Sequence, residues 1–307
     1  MSTFRSSPVR SSSECGSAGR LATIFGTMTA ATTVGLLGSL ALFPLVALQG
    51  TVTRRRVPCL PPVQPPHHGV VPGRGSTIRL LAIGESTVAG VGLAHSEETV
   101  AATTARALAR RTRRPVAWHG LGLSGATVNQ AAERLLPRIA REGADLLVIS
   151  FGVNDTLAYR SPWTFAGDLA ALVTAARARI GDAAVVVTGV APLVCFPALP
   201  WPLRTILNWR SVALQEAAEG LAAGFPRLVV ERFSEPPGPH LFAVDGFHPN
   251  MEAHVLWGEE IASLALPLLV GRDRQMAAGR RVAKVADSAH CSGMRRLPAD
   301  LALGPAE

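Results

Sequence analysis

An α/β fold with a parallel sheet covered by helices on both faces is predicted by three observations in this 307-residue chain. Five short apolar, largely β-branched runs lie at 78–84, 115–120, 145–150, 183–190 and 227–233, the signature of strands buried inside such a sheet. Helix-length segments separate them, the alternation that builds parallel sheets. Residues able to do chemistry follow several of the runs, and an open parallel sheet gathers its ligands at the carboxyl ends of its strands.

The elements follow in order from the amino terminus. Residues 1–20 form a polar tail. From Leu21 to Thr53 there is no charged residue, and 21–50 is long enough for the ~20 apolar residues of a membrane helix. A cleaved signal peptide is the rival reading, but its apolar core runs to only ~7–15 residues and ends at a small-x-small site, which "LVALQG" does not supply. Gly35 and Ser39 stand four apart, a spacing that suits helix packing in a membrane. Arg54, Arg55 and Arg56 come next, then a stretch rich in proline and glycine, so 51–76 is expected to be a basic extended linker. The adjacent His67 and His68 within it read as solvated side chains.

The folded domain is expected over 77–270. Ser96 with Glu97 and Glu98 looks like a capped helix start, and Arg110, Arg111, Arg113 and Arg114 close that helix where its dipole favours cations. Further helices are expected at 128–141, 164–179, 204–222 and 251–266. Asn250 is the cap of the last, in which Ala253, Leu256, Trp257, Ile261 and Leu264 recur at helical spacing. Residues 271–307 read as a loosely ordered tail.

Composition excludes some functions. The net charge of +8 is confined to the tails: 1–76 hold seven arginines against Glu14, whereas 77–270 hold 16 arginines against 17 acids. A nucleic-acid partner is therefore not expected. Cys15, Cys59, Cys195 and Cys291 are scattered without metal-ligand spacing and read as free thiols. "GVGLAH" lacks the third glycine of a dinucleotide loop, and no lysine completes a phosphate loop. His240, Asp245, His248 and His254 could ligate a metal, but no paired-histidine helix or cysteine set accompanies them.

Ser86 follows the first run, Gly125 the second, Asn154 the third, and Asp245 and His248 the fifth. Together they supply a nucleophile, a flexible backbone amide, a side-chain amide, and a base with its orienting carboxylate. A serine hydroxyl is a poor nucleophile until a neutral imidazole takes its proton, and the imidazole needs a carboxylate to hold its tautomer. Taken in order, Gly84-Glu85-Ser86, Gly125, Gly152-Val153-Asn154-Asp155 and Asp245-Gly246-Phe247-His248 resemble the four sequence blocks of the SGNH hydrolases, the GDSL esterase/lipase superfamily, over about 77–266. The first block departs from the family in carrying Glu85 where aspartate is usual.

The resemblance implies a flavodoxin-like three-layer α/β/α sandwich with a central five-stranded parallel sheet. It also implies Ser86 as nucleophile, Asp245 and His248 as its partners, and an oxyanion hole from Ser86, Gly125 and Asn154. The expected protein is a membrane-anchored serine esterase, of carboxylesterase or lysophospholipase type, acting on a small or lipid-like acyl ester without a cofactor. A membrane-tethered binding protein on the same fold is the alternative. Loop 191–204, apolar enough to line an acyl site, could equally pack on a membrane surface. Arg54–Arg56 directly after the apolar span put the catalytic domain on the cytoplasmic side.

Overall fold

The structure, a computed structural model, describes residues 43–270 except Glu142. The expected tails at 1–20 and 271–307, and the expected membrane helix apart from 43–50, lie outside the described residues. The chain runs α1 (Phe43–Arg56), β1 (His68–Val71), β2 (Ile78–Gly84), α2 (Ser86–Ala89), α3 (Val100–Thr112), β3 (Val116–Gly122), α4 (Val128–Leu135), β4 (Leu146–Ser150), α5 (Val153–Leu157), α6 (Pro162–Ile180), β5 (Ala184–Val187), α7 (Leu203–Ala222), β6 (Leu228–Val230) and α8 (Met251–Val270).

The strands form one sheet in the order β1-β3-β2-β4-β5-β6. All neighbours are parallel except the β1–β3 pair. The five parallel strands thus follow the 2-1-3-4-5 order of the flavodoxin-like fold, whose switch point lies between β2 and β4. Alternate strand residues feed two cores, as a period of two requires. Leu81, Ile83, Leu147, Ile149, Val185 and Val187 face α4, α6 and α7, while Leu80, Ala82, Val148 and Val186 face α3 and α8. Burial on both faces is why these strands read as continuous apolar runs.

Four expectations are corrected. The sheet has six strands, because His68–Val71 pairs antiparallel with β3 at the edge. Residues 51–76 are therefore only partly a linker: α1 continues to Arg56, and Val63 is buried, its N–H donating to Ala89 O at 3.3 Å. Ser96 starts a 3-10 turn whose capping box joins His95 and Glu98, and Thr99 occupies the N-cap position of α3. The helix expected over 128–141 ends at Leu135, and Pro137 lies in the 3-10 turn that follows.

Other details agree with the reading. Arg110 and Arg111, in the last turn of α3, pair with Glu259 of α8. Asn250 caps α8 by accepting the Ala253 N–H at 3.1 Å. By length and composition α8 could cross a membrane, but Ile261, Ala262 and Ala265 are fully buried against the sheet, which makes it a core helix.

Candidate active site

β2 ends at Gly84, and the chain turns at Glu85 into α2, setting Ser86 at the switch point. This turn depends on two glycines. A Cβ on Gly84 would stand 2.4 Å from Val88 Cγ2 and 2.6 Å from Ser150 O, and one on Gly122 would stand 2.1 Å from Ala89 N. The backbone of α2 rests on the bare backbone of β3, which draws Ser86 down to the sheet edge.

Glu85 points inward and is 3% exposed. Its Oε1 accepts the Val153 N–H at 3.2 Å, and its Oε2 accepts the Asn154 N–H at 3.1 Å and the Asn154 side-chain amide at 2.5 Å. The carboxyl thus ties the end of β2 to the start of α5 across the switch point. Burial pushes its pKa up to about 8, against the opposing pull of these N–H donors and with Asp155 adding a like charge. Asn154 Nδ2 also donates to Ala126 O at 3.3 Å, so the loop that carries Gly125 meets the same point. Gly125 has φ +78°, a conformation that needs glycine, and space beside it is open.

The last loop brings the imidazole. Asp245 is 4% exposed; its Oδ1 accepts the N–H groups of Phe247 and His248 at 2.9 and 3.0 Å, and its Oδ2 lies 2.6 Å from His248 Nδ1. Gly246, at φ +64°, lets the chain turn tightly enough for both contacts. With Nδ1 held, Nε2 is the nitrogen available for proton transfer.

Ser86 and His248 line one cleft of about 610 Å³, together with Phe196, Phe242 and Phe247 on an apolar wall. Asp245 stands behind His248, while Asn154 and Gly125 lie outside the lining. Of loop 191–204 only Ala191 and Phe196 reach the cleft.

Sequence reasoning missed a further buried carboxyl in the same cleft. Glu231 accepts Trp257 Nε1–H at 2.7 Å and the Gly189 N–H at 3.1 Å, and burial raises its pKa to about 7. Its only signal was an acid ending the apolar run "RLVVE". It named Asp155 in the third block but gave it no role; Asp155 is fully buried, accepts the Val128 N–H at 3.2 Å and pairs with Arg160, and burial raises its pKa to about 6. Among the described residues no group of three or more histidines, cysteines or acids is placed to hold a metal ion.

The fold and this arrangement define an open α/β protein with a cleft at the carboxyl ends of β2, β4, β5 and β6. The model of the GDSL-like lipase/acylhydrolase family matches residues 82–256, more than half of the chain, and the chain belongs to that family. No curated protein matches it in sequence. Among solved structures, the lipase Lip_vut3 from a goat rumen metagenome shares 14% identity and a TM-score of 0.51, covering 61% of this chain and 97% of that one. An aryl esterase from M. smegmatis shares 21% identity with a TM-score of 0.47, covering 62% and 99% of the two chains. A lipase/acylhydrolase from Enterococcus faecalis shares 23% identity with a TM-score of 0.47, covering 64% and 96%. The first of these supports the fold.

Proposed function

We propose that the chain is a membrane-anchored serine esterase that hydrolyses a small or lipid-like acyl ester through an acyl-enzyme on Ser86. The observation that carries this reading is that Ser86 and His248 line one cleft while Asp245 holds His248 Nδ1 at 2.6 Å. In the reaction, Ser86 Oγ bonds to the ester carbonyl carbon as its proton passes to His248 Nε2. The carbonyl oxygen takes the negative charge. Collapse breaks the bond to the alcohol oxygen, which leaves with the proton from His248. Water then repeats the sequence on the acyl-enzyme and releases the acid.

The oxyanion is assigned to the backbone N–H groups of Ser86 and Gly125 and the side-chain amide of Asn154. Asn154 Nδ2 meets Ala126 O at a long 3.3 Å, and that weaker bond is the one a developing oxyanion would replace. A fluorophosphonate probe tests the assignment: labelling should appear in the wild-type chain and vanish in Ser86→Ala. Labelling that survives the substitution removes Ser86 from the role.

One observation favours the second reading, a membrane-tethered binding protein on the same fold. The Asn154 amide already donates to Glu85 and Ala126. A folded chain that neither labels nor cleaves any ester in a panel of varied acyl length would favour it. The catalytic domain is assigned to the cytoplasmic side on the strength of Arg54, Arg55 and Arg56. A fluorescent reporter and an export-dependent phosphatase, each fused after Glu307, discriminate the two orientations.

A further inference from the structure

Helix α1 carries two stripes that face different surroundings. Val46, Gln49 and Thr53 turn toward the domain: Val46 is 2% exposed in a cluster with Leu193, Phe196, Leu199, Leu203 and Ile206, and Gln49 Nε2 donates to Trp201 O at 3.5 Å. Leu45, Leu48 and Val52, one position away at the same helical spacing, are 45%, 64% and 40% exposed. A helix that only packed on the domain would carry polar residues on that outer stripe. The apolar surface continues onto the domain at Trp201, 72% exposed, and Val194, 43% exposed. Arg54, Arg55, Arg56 and Arg204 are exposed beside it.

A lipid bilayer with anionic headgroups fits all of these features. Leu21 to Thr53 contains no charge, so the apolar stretch outside the described residues leads directly into α1. Tryptophan favours the boundary between hydrocarbon and headgroups. Arginines next to an apolar face suit anionic headgroups. Gln49, midway along α1, reaches Trp201 O at 3.5 Å, so the helix and the loop lie side by side.

The cleft shares a wall with the seat of α1. Phe196 belongs to the cluster that seats Val46 and also lines the cleft, and its ring lies 5.1 Å from those of both Phe242 and Phe247. Phe247 in turn stands 5.3 Å from the His248 ring. Two aromatic side chains therefore separate the seat of α1 from the imidazole.

We infer that the outer stripe of α1, with Val194 and Trp201, beds the catalytic domain on a lipid bilayer, and that the ester taken by the cleft is a long-chain acyl lipid drawn from that bilayer past Phe196. The substrate half of this inference rests on the esterase reading; the docking half does not.

The full chain is reconstituted in vesicles of phosphatidylcholine and phosphatidylglycerol whose acyl chains are brominated. Tryptophan fluorescence should be quenched, and Trp201→Phe should remove a measurable share of the quenching. Equal quenching in wild type and W201F overturns the docking. In parallel, the double variant Val194→Gln, Trp201→Gln is assayed on two esters. Neither residue lines the cleft. Hydrolysis of a water-soluble short-chain aryl ester should be unchanged, while hydrolysis of a long-chain lipid ester in vesicles should fall at least tenfold. Equal loss on both esters, or none on either, overturns the lipid-delivery step. If the wild-type chain cleaves neither ester, the esterase reading fails, and the quenching experiment still decides the docking.

Discussion

Two buried carboxyls flank the candidate nucleophile, and they are used differently. Asp245 and Glu85 are 4% and 3% exposed, and each accepts two backbone N–H groups. Asp245 places both amides on one oxygen and leaves the other for His248, the group that the proposed mechanism makes cationic. Glu85 uses both oxygens on backbone amides and adds the neutral Asn154 side chain. With no cation beside it among the described residues, burial dominates and its pKa rises to about 8. In the proposed esterase the acid facing the imidazole serves proton movement, whereas the one facing amides holds two loops in register.

Substitutions at the two carboxyls should therefore separate rate from stability. The largest effect is expected at the first site: Asp245→Asn should lower kcat by about 10⁴-fold, because the amide no longer holds the correct tautomer of His248, with little change in the denaturant midpoint. Steady-state kinetics beside urea unfolding would measure both. Next comes the residue that Glu85 positions: Asn154→Ala should lower kcat by ~10²–10³-fold with KM nearly constant, the mark of a donor used only in the transition state. A rise in KM alone would show that Asn154 binds ground state and transition state equally.

Glu85→Gln reverses the pattern. One amide donor at the start of α5 then faces an NH₂ group instead of an oxygen, at a cost of about 1–3 kcal/mol in unfolding free energy. Turnover measured on the protein that remains folded should fall less than in Asp245→Asn. The opposite ranking would erase the distinction between the two acids.

The smallest effect is a pH slope. A carboxyl whose pKa is raised from 4.5 to about 8 keeps its proton in the folded chain where the unfolded chain has lost it, so stability falls as pH rises through that interval. Glu231, raised to about 7, acts in the same sense. His254 is pushed down to about 3 by burial, with His248 adding to the shift, and acts oppositely, but only below its ordinary value of 6.5. Between pH ~6.5 and ~8 the urea midpoint should therefore fall, and Glu85→Gln should flatten most of that slope. A midpoint that climbs across this interval would place the proton elsewhere.

Much of the parallel sheet was legible because strands buried on two faces leave unbroken apolar runs, as in "LLVIS" at β4. β1 was hidden for the complementary reason. An edge strand pairs on one side only, and His68–Val71 alternates exposed and half-buried residues within a proline-rich stretch. Thr99 was passed over because the two acids after Ser96 imitate a helix start, when they belong to a 3-10 turn. At the site, the order of Ser86, Asn154, Asp245 and His248 along the chain was readable, and Asp245 with His248 is a local contact three residues apart. The role of Glu85 was not readable. Its partners lie 68 and 69 residues away, and only the close packing of β2 against β4 reveals why the extra methylene of glutamate has somewhere to go.

Gly122 carries no side chain, yet the position of Ser86, the proposed nucleophile, depends on it. A methyl group there would fall 2.1 Å from the Ala89 nitrogen, against backbone that cannot rotate away. Drift at this position would be punished through every function the serine serves, while a search confined to acids, bases and hydroxyls would never sample it. In this chain the placement of Ser86 is inherited through a missing atom.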